Sequence, residues 1–150
     1  MHPGTLVFCE ASGNWASAWR RESQVRAERV GCDLQQVPVV ETRSVTECRE
    51  AIESLAGGFL AIELTPPKCE AVLDLLLHLG QQGKWPAAVL ADRDMKAYEW
   101  LARELGAVHF VTSHRGLAAL SPCVRRYFEP LPGPAMGTAE RIWSMLPWEN

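Results

Sequence analysis

The sequence predicts an α/β protein: a three-layer, doubly wound, parallel five-stranded sheet with a short C-terminal tail. Three observations predict it. Short apolar runs alternate along the chain with longer segments of helical periodicity. The runs are apolar at nearly every position rather than at every second one, the pattern of strands covered on both faces. Helix-start and helix-stop residues stand between them, so consecutive strands are joined by helical crossovers, which are right-handed and cover both faces of a sheet.

Thr5-Leu6-Val7-Phe8-Cys9 is the first strand. Gly13 supplies a turn and Asn14 a cap for a helix from Trp15 to about Arg29, with Trp15, Ala18, Trp19 and Val25 on one side and Gly31 as its stop. Leu34 to Val40 reads as the second strand, at an edge because Pro38 cannot donate to a ladder. Ser44-Val45-Thr46-Glu47 fits a capping box, followed by Cys48, Ala51, Ile52 and Leu55 at helical spacing and by Gly57-Gly58. Phe59 to Ile62 is the third strand. Pro66-Pro67 opens a helix whose apolar residues Val72, Leu73, Leu75, Leu76, Leu77 and Leu79 nearly encircle it. Gly80 and Gly83 punctuate the next loop, and Ala87 to Ala91 is the fourth strand. Asp94 caps a helix carrying Ala97, Tyr98, Leu101 and Leu105, closed by Gly106. Val108 to Thr112 is the fifth strand, and Ser121-Pro122 signals the start of a last helix with Val124, Tyr127 and Phe128 facing inward.

At 150 residues the chain holds one sizeable core. Residues 1–128 form the α/β domain. Residues 129–150 are a stiff proline-rich linker and a tail carrying Ile142, Trp143, Met145, Leu146 and Trp148. A net charge of −3 argues against a broad nucleic-acid surface, and Arg20-Arg21 and Arg125-Arg126 are too small to make one. The 5 cysteines include no CxxC pair, so neither a disulfide framework nor a structural zinc site is expected. No signal peptide is read at Met1-His2-Pro3-Gly4, and Ala71 to Leu79 is too short to span a bilayer, so a cytoplasmic protein with no membrane partner is expected.

The segment Leu60-Ala61-Ile62-Glu63-Leu64-Thr65-Pro66-Pro67 reads as a buried strand that ends in one acidic residue and is followed by a proline-opened helix. With the element order it resembles the receiver domains of two-component response regulators, a flavodoxin-like fold, over roughly residues 4–128. In that family an aspartate at this strand end, with a proline four residues on, accepts a phosphoryl group. The resemblance puts Glu63 and Pro67 at those positions. It puts Cys9 and Glu10 where two acids hold magnesium, Ala91 where a hydroxyl residue contacts the phosphoryl group, and Ser113-His114 where Lys-Pro is usual. A thiol is a poor ligand for a hard cation, and aspartyl phosphorylation needs nucleophile, metal and charge clamp together. The resemblance therefore implies a degenerate receiver without cofactor or catalysis. Glu63 is either an exposed charge at a strand end or a fixed mimic of the phosphorylated state, with His114 a partial substitute for the missing lysine.

Such a module acts through a protein partner or a homodimer. Tyr98, Trp100, Arg125 and Arg126 are candidate contacts because exposed tryptophan and arginine suit interface hot spots, and Trp143 and Trp148 of the tail are others. Two alternatives stand beside this reading. Glu10, Glu63, Asp92 and His114 would converge at the strand ends to bind a metal or small molecule, or Ser12 and Asn14 a flavin phosphate. A genuine phosphorylated receiver would need Asp92 or Asp94 as acceptor. No GxGxxG, GxxxxGK[ST] or GxSxG occurs.

Overall fold

The computed structural model describes residues 4–30 and 37–128. Five strands form one sheet: β1 Thr5–Cys9, β2 Val39–Thr42, β3 Gly58–Leu64, β4 Ala87–Ala91 and β5 Ala107–Val111. All pairings are parallel and the spatial order is β2-β1-β3-β4-β5. Among the described residues four α-helices connect them, α1 Asn14–Val30, α2 Val45–Ser54, α3 Cys69–Gln82 and α4 Glu99–Glu104, and a fifth, α5 Leu117–Phe128, follows β5. The layers arise from strand alternation. Leu6, Phe8, Phe59, Ala61, Ala88 and Leu90 face α1 and α5, against Trp15, Trp19, Leu117, Leu120 and Val124. Val7, Cys9, Leu60, Ile62, Leu64, Val89 and Ala91 face the other way, against Cys48 and Ile52 of α2, Val72, Leu75, Leu76 and Leu79 of α3, and Ala102 of α4. The predicted three-layer architecture is present, with β2 at an edge.

Local chemistry explains several boundaries. Ser44 caps α2 by accepting from the Glu47 N–H at 3.1 Å, and the Glu47 carboxylate reaches back one residue further than a capping box requires, to the Arg43 N–H at 3.0 Å. Gly83 ends α3 in the left-handed region, φ 65°. Gly58 opens β3 with no room for a side chain, since a Cβ would meet the Thr5 carbonyl and the Trp85 ring.

Other expectations are corrected. The second strand runs to Thr42 and begins at Val39 among the described residues; residues 34–36 of the predicted strand lie outside them. Gly80 is inside α3, and Leu77 is exposed, so the apolar residues of that helix leave one side in solvent. Val25 is also exposed. The helix predicted from Asp94 begins instead as a 3-10 turn, Arg93–Tyr98. Met95 and Ala102 are buried, while Tyr98 and Leu101 are partly exposed and Ala97 is exposed. The last helix starts before Ser121-Pro122, which lie inside it. Residues 129–150, with Trp143 and Trp148, lie outside the described residues.

An interior proline removes one helical N–H and orphans the carbonyl four residues earlier, here Ala118. Arg26 of α1 supplies the missing donor: its Nη2 donates to the Ala118 oxygen at 2.7 Å. The α1–α5 contact and the tolerance of Pro122 are thus one feature. Arg26→Ala should cost about 1.5 kcal/mol by urea denaturation, and clearly less in a Pro122→Ala background, where the restored N–H reclaims Ala118. Equal costs in both backgrounds would contradict the assignment.

Candidate functional site

The C-terminal ends of β1 and β3 are neighbours, and the loop after β1 turns directly into α1. Glu10 is the first residue past β1 and is only 1% exposed. Its two oxygens accept from the backbone N–H groups of Trp15, at 2.9 Å, and Ala16, at 2.7 Å. A helix start has unpaired N–H groups and a partial positive charge, so a buried carboxylate is stabilised there. The sequence predicts Asn14 as the cap; instead its own N–H is held by Ser12 Oγ at 3.3 Å, and Glu10 caps the helix from before the turn.

That cap fixes where Trp15 lies. Its side chain is 5% exposed, and its indole Nε1–H donates to Glu63 Oε2 at 3.2 Å. Glu63 Oε1 accepts from the Ala11 N–H at 3.4 Å. The His114 ring, from the 3-10 turn His114–Gly116 after β5, meets the indole edge-on with centroids 4.5 Å apart. Glu10, Glu63 and His114 are therefore brought together, with Trp15 touching all three. Helical periodicity marks Trp15 only as a core residue; its place in the first helical turn after a strand end is the signal for more.

The other predicted positions fall elsewhere. Cys9 and Ala91 point to the α2–α4 face, away from Glu63, because each is one alternation out of phase with it. Ser113 precedes the 3-10 turn and makes no side-chain cap there. Asp92 is exposed and likewise makes no side-chain cap. Ser12, a candidate for a flavin phosphate, holds the Asn14 N–H.

A receiver-type magnesium ion would have to draw on Cys9, Glu10 and Glu63. The set does not fit. Both Glu10 oxygens are held by helix amides, Cys9 is turned away and donates to Ser44 O at 3.5 Å, and Glu63 is engaged by Trp15 and Ala11. Among the described residues no three His, Cys, Asp or Glu side chains are grouped as metal ligands. Two cavities lie away from these residues: one of about 230 Å³ between α2 and α3, lined by Ile52, Leu75 and Trp85, and one of about 470 Å³ beside α1 and β2, lined by Trp19, Ser23 and Val39.

The polar surroundings are organised by Arg43. It bridges to Glu41 at 3.0 Å, and Glu41 also takes Arg20 at 2.9 Å; these two guanidiniums, Arg20 first, hold the Glu41 carboxyl below the usual range. On β5, burial pushes His109 below the ordinary histidine range, helped by Arg103. A second surface stands apart: Trp100 is 72% exposed, with Tyr98 and Leu101 beside it on the same segment and Val108 also exposed on β5.

No protein-family model matches the sequence, and no curated protein does. Solved structures do match. The orphan response regulator HP1043 of H. pylori is similar with a TM-score of 0.61 and 13% identity, covering 84% of this chain and 100% of its own. The receiver domain of the Francisella response regulator 1452 gives 0.59 and 14%, covering 84% and 99%. The Mn(2+)-bound form of response regulator Rcp1 gives 0.58 and 15%, covering 89% and 100%. This is a receiver fold. The strand order and the position of the loop after β1 at the sheet's C-terminal edge are those expected of it. Among the described residues no helix is long and apolar enough to cross a membrane.

The cap on α1 of this receiver fold is testable. Glu10→Gln keeps one acceptor and sets an amide donor against a backbone N–H, so it should lose about 2 kcal/mol of stability in thermal or urea denaturation. Glu63→Gln, at a half-exposed position, should lose well under half of that. Equal losses would show that Glu10 is not the more important of the two carboxylates.

Proposed function

We propose that this chain is a receiver-like signalling module that does not turn over phosphate and acts by binding another protein. The observation that carries the first half is the commitment of the acids at the strand ends. Glu10 is spent on the α1 amides, and the Trp15 indole lies between Glu63 and His114. Phosphoryl transfer to a carboxylate needs a free nucleophile with a cation beside it. Here the carboxylate at the proposed acceptor position is Glu63, held by two N–H donors, and the nearest ring is a hydrogen-bonded indole. In this reading Glu63 is a permanent charge that keeps Trp15 docked, as a fixed active-like state would.

The second half rests on the surface of α4 and the turn before it. A tryptophan 72% exposed, next to Tyr98 and Leu101, is unfavourable in water and is the residue type on which interfaces concentrate their energy. Arg125 and Arg126 at the end of α5 would contribute charge to the partner side. Either a different protein or a second copy of the chain would satisfy this face, and a cytoplasmic setting would suit it.

One experiment separates the reading from an active receiver. Incubated with magnesium and acetyl phosphate, the protein should keep its intact mass, and magnesium with beryllofluoride should leave the Ala11 and Glu63 amide resonances in place. A phosphoryl adduct, or saturable shifts centred on those residues, would overturn the proposal.

A further inference from the structure

The cavity of about 470 Å³ beside α1 and β2 has an apolar wall and one unsatisfied polar group. The wall is Trp19, Val37, Pro38 and Val39, with Arg20 at its side. Ser23 lines it too and is 5% exposed. Its hydroxyl is the one buried side-chain nitrogen or oxygen among the described residues that has no hydrogen-bond partner. A buried hydroxyl left unpaired is costly, so such groups normally find a partner. An apolar space with a single orphan acceptor suits a large flat group carrying one N–H donor. Among side chains that is tryptophan.

The chain leaves the described fold close to this cavity and on the same face of the sheet. Helix α5 ends at Phe128, whose ring covers Gly4 so closely that a Cβ there would collide with it. Two residues on, the Leu6 N–H donates to the Pro38 oxygen at 2.9 Å, and Pro38 is part of the cavity wall. Val37, Val39, Tyr127 and Phe128 all pack on the core layer between the sheet and the α1–α5 pair. Two residues of strand are about 7 Å. The stretch 129–142, with Pro130, Pro132 and Pro134, spans much more than that at about 3.1 Å per residue. It leads to the apolar run Ile142, Trp143, Met145, Leu146 and Trp148. Trp143 lies within that run, with Ile142 before it and Leu146 three residues on, whereas Trp148 follows Pro147.

We propose that residues 138–148 of this same chain dock on the α1–β2 face, with the Trp143 indole in the cavity and its Nε1–H donated to Ser23 Oγ. The serine hydroxyl turns about χ1 to meet it. The ring packs on Trp19 and on the Val37–Val39 wall, beside the Arg20 guanidinium, a favourable neighbour for an indole face. The docked segment also covers part of β2, an edge strand whose outer side is otherwise open to pairing with other chains. The Trp100 surface lies at the opposite edge of the sheet, beside β5, and stays open to a partner. The docking therefore holds or fails independently of the receiver reading.

The test is nuclear Overhauser contacts in the full-length protein, carrying labelled tryptophan rings and labelled Ile, Leu and Val methyls. The Trp143 ring, assigned by the loss of its signals in Trp143→Phe, should contact the Val37 and Val39 methyls. Dilution should leave these contacts unchanged, and a mixture of labelled and unlabelled chains should show none between chains. Ser23→Ala removes a hydroxyl that bonds to nothing else among the described residues. It should shift the Trp143 Nε1–H resonance and speed its exchange with water, while the Trp148 resonance stays in place. Four results would overturn the proposal: no methyl contacts from Trp143; contacts instead to Ile52 and Leu75 or to Leu101 and Val108; contacts only between chains; or an indole indifferent to Ser23→Ala. The contacts in the unmutated chain decide the docking whether or not the variants fold.

Discussion

The two hydrogen bonds from the start of α1 to the Glu10 carboxylate organise this end of the molecule. A carboxylate 1% exposed costs several kcal/mol to bury unless its oxygens are bonded. A helix start buried against a sheet has the complementary problem, N–H groups without acceptors. Each satisfies the other, and the result is stiff because both partners lie close to regular backbone: Glu10 directly after β1, the amides in the first turn of α1. That anchor places the Trp15 backbone at the strand ends. The ring closes over the ends of β1 and β3, bonds Glu63 and packs on His114.

The receiver fold thus accommodates two engaged carboxylates, Glu10 and Glu63, without losing its architecture. Folds do not dictate function; sites do. The sheet order and the two helical layers are kept, while Glu10 and Glu63 at its C-terminal edge accept from N–H donors. Strand alternation also divides the end of β1 into two environments. Glu10 belongs to the α1 layer, and Cys9, one residue earlier, belongs to the α2 layer beside Cys48. Neighbouring residues in sequence thus enter opposite layers of the sheet.

Much of the fold is legible in the sequence because it rests on local rules. Apolar runs locate the strands, Ser44 and Gly83 mark helix ends, and Pro38 marks the edge strand. The features that escape a sequence reading depend on contacts distant in sequence or on helical phase. Pro122 reads as a helix start, and only Arg26, on a different helix, lets it sit in an interior. In the segment from Arg93 to Glu104 the inward stripe is Met95 and Ala102, a helical phase different from the one read through Tyr98 and Leu101. At the site, Glu10, Glu63 and His114 are identifiable as neighbours from their strand ends. Period-two counting along β1 and β3 would have separated Cys9 from Glu63. The role of Trp15 needs the side chain of Glu10 to be placed first, which no sequence pattern does.

Trp15 is expected to stay docked between Glu63 and His114 and not to be displaced by magnesium. The indole Nε1–H resonance of Trp15, assigned in 15N-tryptophan-labelled protein with Trp15→Phe as reference, tests it most directly. The expected result is a slowly exchanging proton whose shift is indifferent to millimolar magnesium and is moved by Glu63→Gln. A resonance that exchanges freely with water, or that shifts saturably as magnesium is added, would show that the indole is a gate over a working cation site.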